Sequence, residues 1–238
     1  MAITCGRATR SSQRPAIPPT EDNVPQLEEF LRRSFASTVF NNEVTPLPAM
    51  RDSPHTIHLL PDAVPYARHA PIPVSKHWKG KVKAQLDENV RRGVIEKVPA
   101  GEPAIWCAPM VVVAKENGQP RRTVDYHELN KFCRRETHHT RPPFDMVSSV
   151  PNHNYKTTLD AFSGFHQVPL AEESRPLTTF ITPWGRYRYL RTPMGHVSAS
   201  DAYTRRFDDA IVDIERKFKC VDVVFLFDST IKEGFWHC

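Results

Sequence analysis

The chain has 238 residues, 39% of them hydrophobic, and a formal net charge of +5. That length can bury a core in one domain or two closely packed ones. Without an eighteen-residue apolar run, the sequence gives no reason to expect a transmembrane helix. The basic balance favours a polyanionic partner, although an ordinary basic soluble domain is the simpler account of charge alone.

Residues 1–25 are polar and Pro-containing and are expected to be a disordered segment or linker. The first fifteen are basic and Ser-rich but lack the apolar core of a secretory signal. In residues 26–40, Leu27, Phe30, Leu31 and Phe35 fall at helical spacing and predict a short amphipathic helix. Seven prolines between residues 41 and 75 predict extended chain, with one short strand over Thr56–Leu60. The 76–92 stretch is the clearest helix, with Trp78, Val82, Leu86 and Val90 along one side, closed by Gly93 and followed by a strand at 94–98. Its Lys76, Lys79, Lys81 and Lys83 suit either a nucleic-acid contact or a solvated face.

A β-rich run at 106–114, the turn signal Asn117-Gly118 and a return strand at 121–125 predict a hairpin. Lys115 and Arg121 flank its tip; such residues can reach a triphosphate, or can be ordinary surface charges. A short helix is expected at 127–132 and a polar connection at 133–155, in which His138-His139 reads as solvated. A strand then ends at Asp160, before the small and aromatic residues Ala161, Phe162, Ser163, Gly164 and Phe165. A carboxylate at a strand end before a tight turn can hold Mg²⁺, although turn chemistry alone also explains it. Strands are expected at 177–182 and 186–191, a long helix over 199–218 with basic residues at its C-terminus, and a strand at 221–227 interrupted by Asp222. Asp228 reads as a turn or cap before a last helical segment. The five scattered cysteines form no CxxC pair and read as reduced intracellular thiols; cytoplasm and nucleus are not distinguished.

Two carboxylates, Asp160 and Asp222, on neighbouring strands are what two-metal phosphoryl transfer needs. With Trp106–Val113, Val124–Asn130, Leu159–Gln167, Phe180–Gly185, Pro193–Gly195 and Cys220–Val223 in this order, residues 25–238 resemble a reverse transcriptase of gypsy-type LTR retroelement polyproteins. The resemblance implies an α+β fold of the right-hand polymerase type, with an antiparallel palm sheet backed by helices. It divides the chain into a disordered segment (1–25), a helix and Pro-rich segment (26–75), fingers (76–155) and a palm (156–238). The chain stops inside an element at Cys238, so the thumb is expected to be absent and the palm truncated.

By resemblance, Asp160 and Asp222 ligate two Mg²⁺ ions with help from the Ala161 carbonyl. Lys115 and Arg121 contact the incoming dNTP, and Phe165 is the bulky gate that selects deoxynucleotides. Gly195 lets the backbone approach the nascent base pair, and Gln167 has a packing role. The implied partners are an RNA template, a DNA primer and dNTPs, with no membrane. The sequence departs from the family where Val223 replaces the signature's second aspartate, Cys220 its aromatic residue and Ser200 a frequent proline. Loss of one oxygen ligand implies a weakly active or inactive, partly degenerate polymerase. The alternative is a nucleic-acid-binding or interaction remnant without catalysis, or a relic without selected function.

Overall fold

Hydrogen bonding between short β-branched and aromatic runs builds two sheets. A computed structural model describes residues 16–40, 46–139, 143–148, 150–152 and 154–237. They fall into two compact units interleaved along the chain. One is drawn from the described residues of 1–43, 138–164 and 204–238, the other from those of 44–137 and 165–203.

The second unit is built on a five-stranded sheet in the order β1 (Ile95–Lys97), β6 (Gly185–Tyr189), β5 (Phe180–Thr182), β2 (Ala108–Ala114) and β3 (Pro120–Val124). The β2–β5 pair is parallel and the others antiparallel, so the sheet is mixed. Helix α2 (Lys79–Arg91) packs on β1 and β3. Its Val82 and Leu86 are fully buried, each contributing roughly 1.5–3 kcal/mol. Val90 is 41% exposed: each four-residue step overshoots a 3.6-residue turn, and by Val90 the stripe has rotated off the core. Two of the lysines on this helix are engaged, Lys81 with Gln119 and Lys83 with Asp87. At the hairpin tip Lys115 accepts from Gly118 N–H and donates its own N–H to the Gln119 carbonyl, both at 2.8 Å. The loop is therefore three residues long, with Gly118 at φ 71° supplying the left-handed position.

The first unit is built on an antiparallel sheet with β8 (Val223–Asp228) between β4 (Tyr155–Asp160) and β7 (Lys217–Cys220). Along β8, Val224, Leu226 and Asp228 are buried on one face, while Val223, Phe225 and Phe227 are half-buried on the other. Helix α6 (Ile231–His237) packs against β8 and β4, close enough that a Cβ on Gly234 would meet the Asp228 Cβ at 3.8 Å. Helix α1 (Val24–Ser34) joins this unit through Phe30, whose ring lies 6.1 Å from that of Phe235.

Several expectations are corrected. The long helix stops early: α5 is Ala199–Ala210, and Lys217–Cys220 is strand β7. Apolar residues at 207, 211 and 214 fit a helix, but pairing of Lys217–Cys220 with β8 satisfies both backbones instead. Val221 and Asp222 form the β7–β8 turn and not the start of a strand. Pro176 and the Thr178 and Thr179 hydroxyls, which donate to the Arg175 and Pro176 carbonyls, hold Glu172–Thr178 in 3-10 form, so β5 starts only at Phe180. Thr56–Leu60 is no strand; only isolated bridges form there, at His55 and Leu59. After α3 (His127–Asn130), the polar connection contains a short helix, α4 (Pro143–Ser148), and the N-terminal helix ends at Ser34 and not at Phe40. Glu21–Asn23, expected to be disordered, is a 3-10 turn leading into α1. The expectation of disorder for residues 1–15 lies outside the described residues. His138 is not merely solvated: its Nε2 lies 2.8 Å from Asp208 Oδ2.

Candidate functional site

The first unit brings two aspartates to one corner of its sheet. Asp160, the last residue of β4, stands directly opposite Val223 in the antiparallel register. The next amide, Ala161 N–H, donates to the Asp222 carbonyl at 2.8 Å. Pleat alternation puts Asp160 on the face of Val223, away from the buried row of Val224 and Leu226. Asp160 is accordingly exposed, Asp222 half-buried and Ala161 buried beneath the chain crossing. Asp222 is presented by a strained turn. Val221 has φ 55°, a conformation costing a branched residue roughly 1–2 kcal/mol.

Carboxylate oxygens are the hard ligands that Mg²⁺ takes, so this corner fits a divalent cation by chemistry. Among the described residues, no three His, Cys, Asp or Glu side chains are gathered so as to hold a metal ion. The protein side chains on offer are the two aspartates, with the isopropyl group of Val223 directly across from Asp160. Asp228 does not substitute. It pairs with Tyr155 at the far end of β8, buried, with Arg216 Nη2 at 2.7 Å and His237 Nδ1 at 2.9 Å.

The other candidate residues belong to the second unit. Lys115 and Arg121 are both exposed at the β2–β3 hairpin, Arg121 opposite Val113. Phe165 packs on Tyr203, with ring centroids 5.0 Å apart. Gln167 is 1% exposed and its carbonyl accepts from Met50 N–H, as a packing residue should. Gly195 has φ 92°, and a Cβ there would meet the Val124 carbonyl oxygen at 3.5 Å. The structure thus groups Asp160, Ala161 and Asp222 in one unit, and Lys115, Arg121, Phe165 and Gly195 in the other.

Three residues have contacts that the sequence reading did not assign to them. Asn130 clamps the 195–197 loop, donating from Nδ2 to the Gly195 carbonyl at 2.9 Å and accepting from Val197 N–H at 3.0 Å. Lys219 is buried, with Nζ donating to the Thr204 carbonyl and 2.6 Å from Asp208 Oδ1; burial pulls its pKa down. His166 stacks on Tyr189, and burial, with Arg122 and Arg191 nearby, lowers its pKa to about 4. The alternation of Lys217, Phe218, Lys219 and Cys220 is the one sequence signal that marks Lys219 as a strand residue.

The family model for reverse transcriptase (RNA-dependent DNA polymerase) matches residues 113–232, half of the chain. The chain belongs to the reverse transcriptase family. It is similar to the retrovirus-related Pol polyprotein from transposon opus of Drosophila melanogaster, at 34% identity over 61% of this chain and 14% of the relative. Similarity extends to the Pol polyprotein from transposon 297 of the same species, at 27% identity over 68% of this chain and 16% of the relative. The enzymatic polyprotein of cauliflower mosaic virus matches at 27% identity over 65% of this chain and 24% of its own length. The chain therefore spans under a quarter of the length of these polyproteins. The prototype foamy virus protease–reverse transcriptase shares the fold, with a TM-score of 0.75 and 23% identity over 93% of this chain and 29% of that one. So does the foamy viral protease–reverse transcriptase solved in complex with an RNA/DNA hybrid, with a TM-score of 0.76 and 19% identity over 90% of this chain and 28% of that one. The α+β architecture is that of reverse transcriptase polymerase domains, and the chain is a reverse transcriptase domain of the kind carried in retroelement polyproteins.

Proposed function

We propose that this chain is the RNA-directed DNA polymerase portion of a gypsy-type retroelement, joining a dNTP to a primer 3′-hydroxyl on an RNA template. The observation that carries the reading is the corner at which the Ala161 N–H, next to Asp160, donates to the Asp222 carbonyl. In that role, Asp160 and Asp222, with the Ala161 carbonyl, would hold two Mg²⁺ ions. When bound, Mg²⁺ supplies charge stabilisation at the phosphoryl group and a lowered pKa for the attacking hydroxyl. Lys115 and Arg121 bind the triphosphate and orient it for in-line attack. By resemblance to the family, Phe165 would act as the gate against a 2′-hydroxyl and Gly195 would admit the nascent base pair. A hybrid-bound foamy viral neighbour with this fold supports a template–primer as the partner.

Val223 is the specific reason to expect reduced turnover. Directly opposite Asp160, it brings no oxygen and no negative charge to the cation site. The same observation favours a second reading, a duplex-binding module without catalysis. Single-nucleotide incorporation on an RNA template with Mg²⁺ and dNTP separates the two. The first reading predicts a slow incorporation that Asp160→Ala abolishes. Hybrid-duplex binding with no incorporation, even after Val223→Asp, supports the second.

A further inference from the structure

Lys115 and Arg121 sit at the tip of the β2–β3 hairpin, and a groove of about 620 Å³ opens elsewhere on the second unit, lined from β1, the β5–β6 turn, Arg68-His69 and the 98–107 stretch. Pockets of about 300–1,000 Å³ are the usual size for small-molecule and cofactor sites. Among the described residues, those lining it include Arg68, His69, Lys97 and Arg186, and none is acidic.

Its two arginines are fixed in place. Arg68 Nε donates to the Ala70 carbonyl at 2.9 Å, and Arg186 Nη2 donates to the Glu102 carbonyl at 2.5 Å, so each guanidinium is held by one edge. Lys97 is exposed, and its Cε would lie 3.5 Å from a Cβ built on Gly185, over the β5–β6 turn. That turn is braced by Thr182 Oγ1, which donates to the Gly185 carbonyl at 2.8 Å and accepts from Trp184 N–H at 3.1 Å. Trp184 is thereby presented half-buried in the groove wall, beside the apolar Ile181.

We propose that this groove is a binding site for single-stranded nucleic acid, separate from the triphosphate-binding hairpin. Fixed cations without a neutralising carboxylate in the lining match a phosphodiester backbone, and an aromatic ring on an apolar wall matches a base. Proteins that hold single strands without reading sequence combine these two features. A helix-shaped duplex has its bases stacked inside and offers no ring face to Trp184, so the groove discriminates against it. The proposal rests on the polymerase reading, in which an unpaired template strand is present during synthesis.

The test is fluorescence anisotropy with labelled oligo-dT and oligo-U of about twelve nucleotides, a length within the usual span of such sites. A blunt RNA–DNA hybrid serves as the comparison ligand. The proteins are the natural chain, Trp184→Ala, Trp184→Phe and Lys97→Glu. Loss of one stacked base is expected to weaken single-strand binding about tenfold in Trp184→Ala, with Trp184→Phe restoring most of it. Lys97→Glu is expected to weaken single-strand binding about as much and to flatten its salt dependence. Hybrid binding is expected to stay within about twofold. Single-strand affinities unchanged by both Trp184→Ala and Lys97→Glu, or no single-strand binding by the natural chain, overturn the proposal. Primer extension on the same preparations keeps the two readings apart. No extension with groove-dependent single-strand binding intact counts against polymerisation alone. Extension with groove-independent single-strand binding counts against the groove alone.

Discussion

At the scale of single residues, the strongest local conflict is Val221. A β-branched residue belongs in a strand by preference, yet the chain must reverse between Cys220 and Val223, and Val221 takes φ 55° to do so. Val221→Gly removes the steric cost at the expense of some unfolded-state entropy. The expected net gain is about 0.5–1 kcal/mol, read as a rise of roughly 2 °C in the thermal midpoint; an unchanged or lower midpoint would contradict it. The histidines give a pH signature. Burial lowers the pKa values of both His166 and His196 to about 4, with Arg122 and Arg191 beside His166 and His55 beside His196 adding to the shift. The unfolded imidazole takes a proton near pH 6.5 and the folded one does not, so stability is fully present above pH 6.5 and falls toward pH 4. At pH 5 the loss is about 2 kcal/mol for each histidine. Urea midpoints at pH 7.5 and pH 5 should show it, and His166→Phe should remove about half of the difference.

At the scale of elements, β7 is the instructive case. Lys217–Cys220 looks like the basic end of a helix, because Lys and Arg favour helix C-termini. What decides is a partner 15 residues away: Lys219 Nζ reaches the Thr204 carbonyl at 3.0 Å and Asp208 at 2.6 Å, tying the strand beneath α5. Lys219→Ala strips that pair and leaves Asp208 without its buried cation, costing about 2–3 kcal/mol. Lys219→Met keeps the stem packed and should cost about 1 kcal/mol less, a difference that urea denaturation resolves. Elements with dense local signals were readable in the sequence: α2 from Val82 and Leu86, and the β2–β3 hairpin from Asn117-Gly118. Those set by distant partners were not. The end of the Asp160 strand was readable at Thr158-Leu159, but its register against Val223 is a tertiary fact. The same holds for the Asn130 clamp on Gly195, whose two hydrogen bonds span 65 and 67 residues.

At the scale of the whole molecule, the proposed polymerase reading turns on whether the corner that Asp160 and Asp222 form does chemistry. The most direct measurement is primer extension on an RNA template with Mg²⁺ and dNTPs. It compares the natural chain, Val223→Asp, and each of these carrying Asp160→Ala. A carboxylate restored opposite Asp160 is expected to raise the rate at least about tenfold, and Asp160→Ala is expected to abolish extension in both backgrounds, since transition-state stabilisation of this size corresponds to at least 1.4 kcal/mol. Extension that survives Asp160→Ala, or a Val223→Asp protein no faster than the natural chain, would contradict the account.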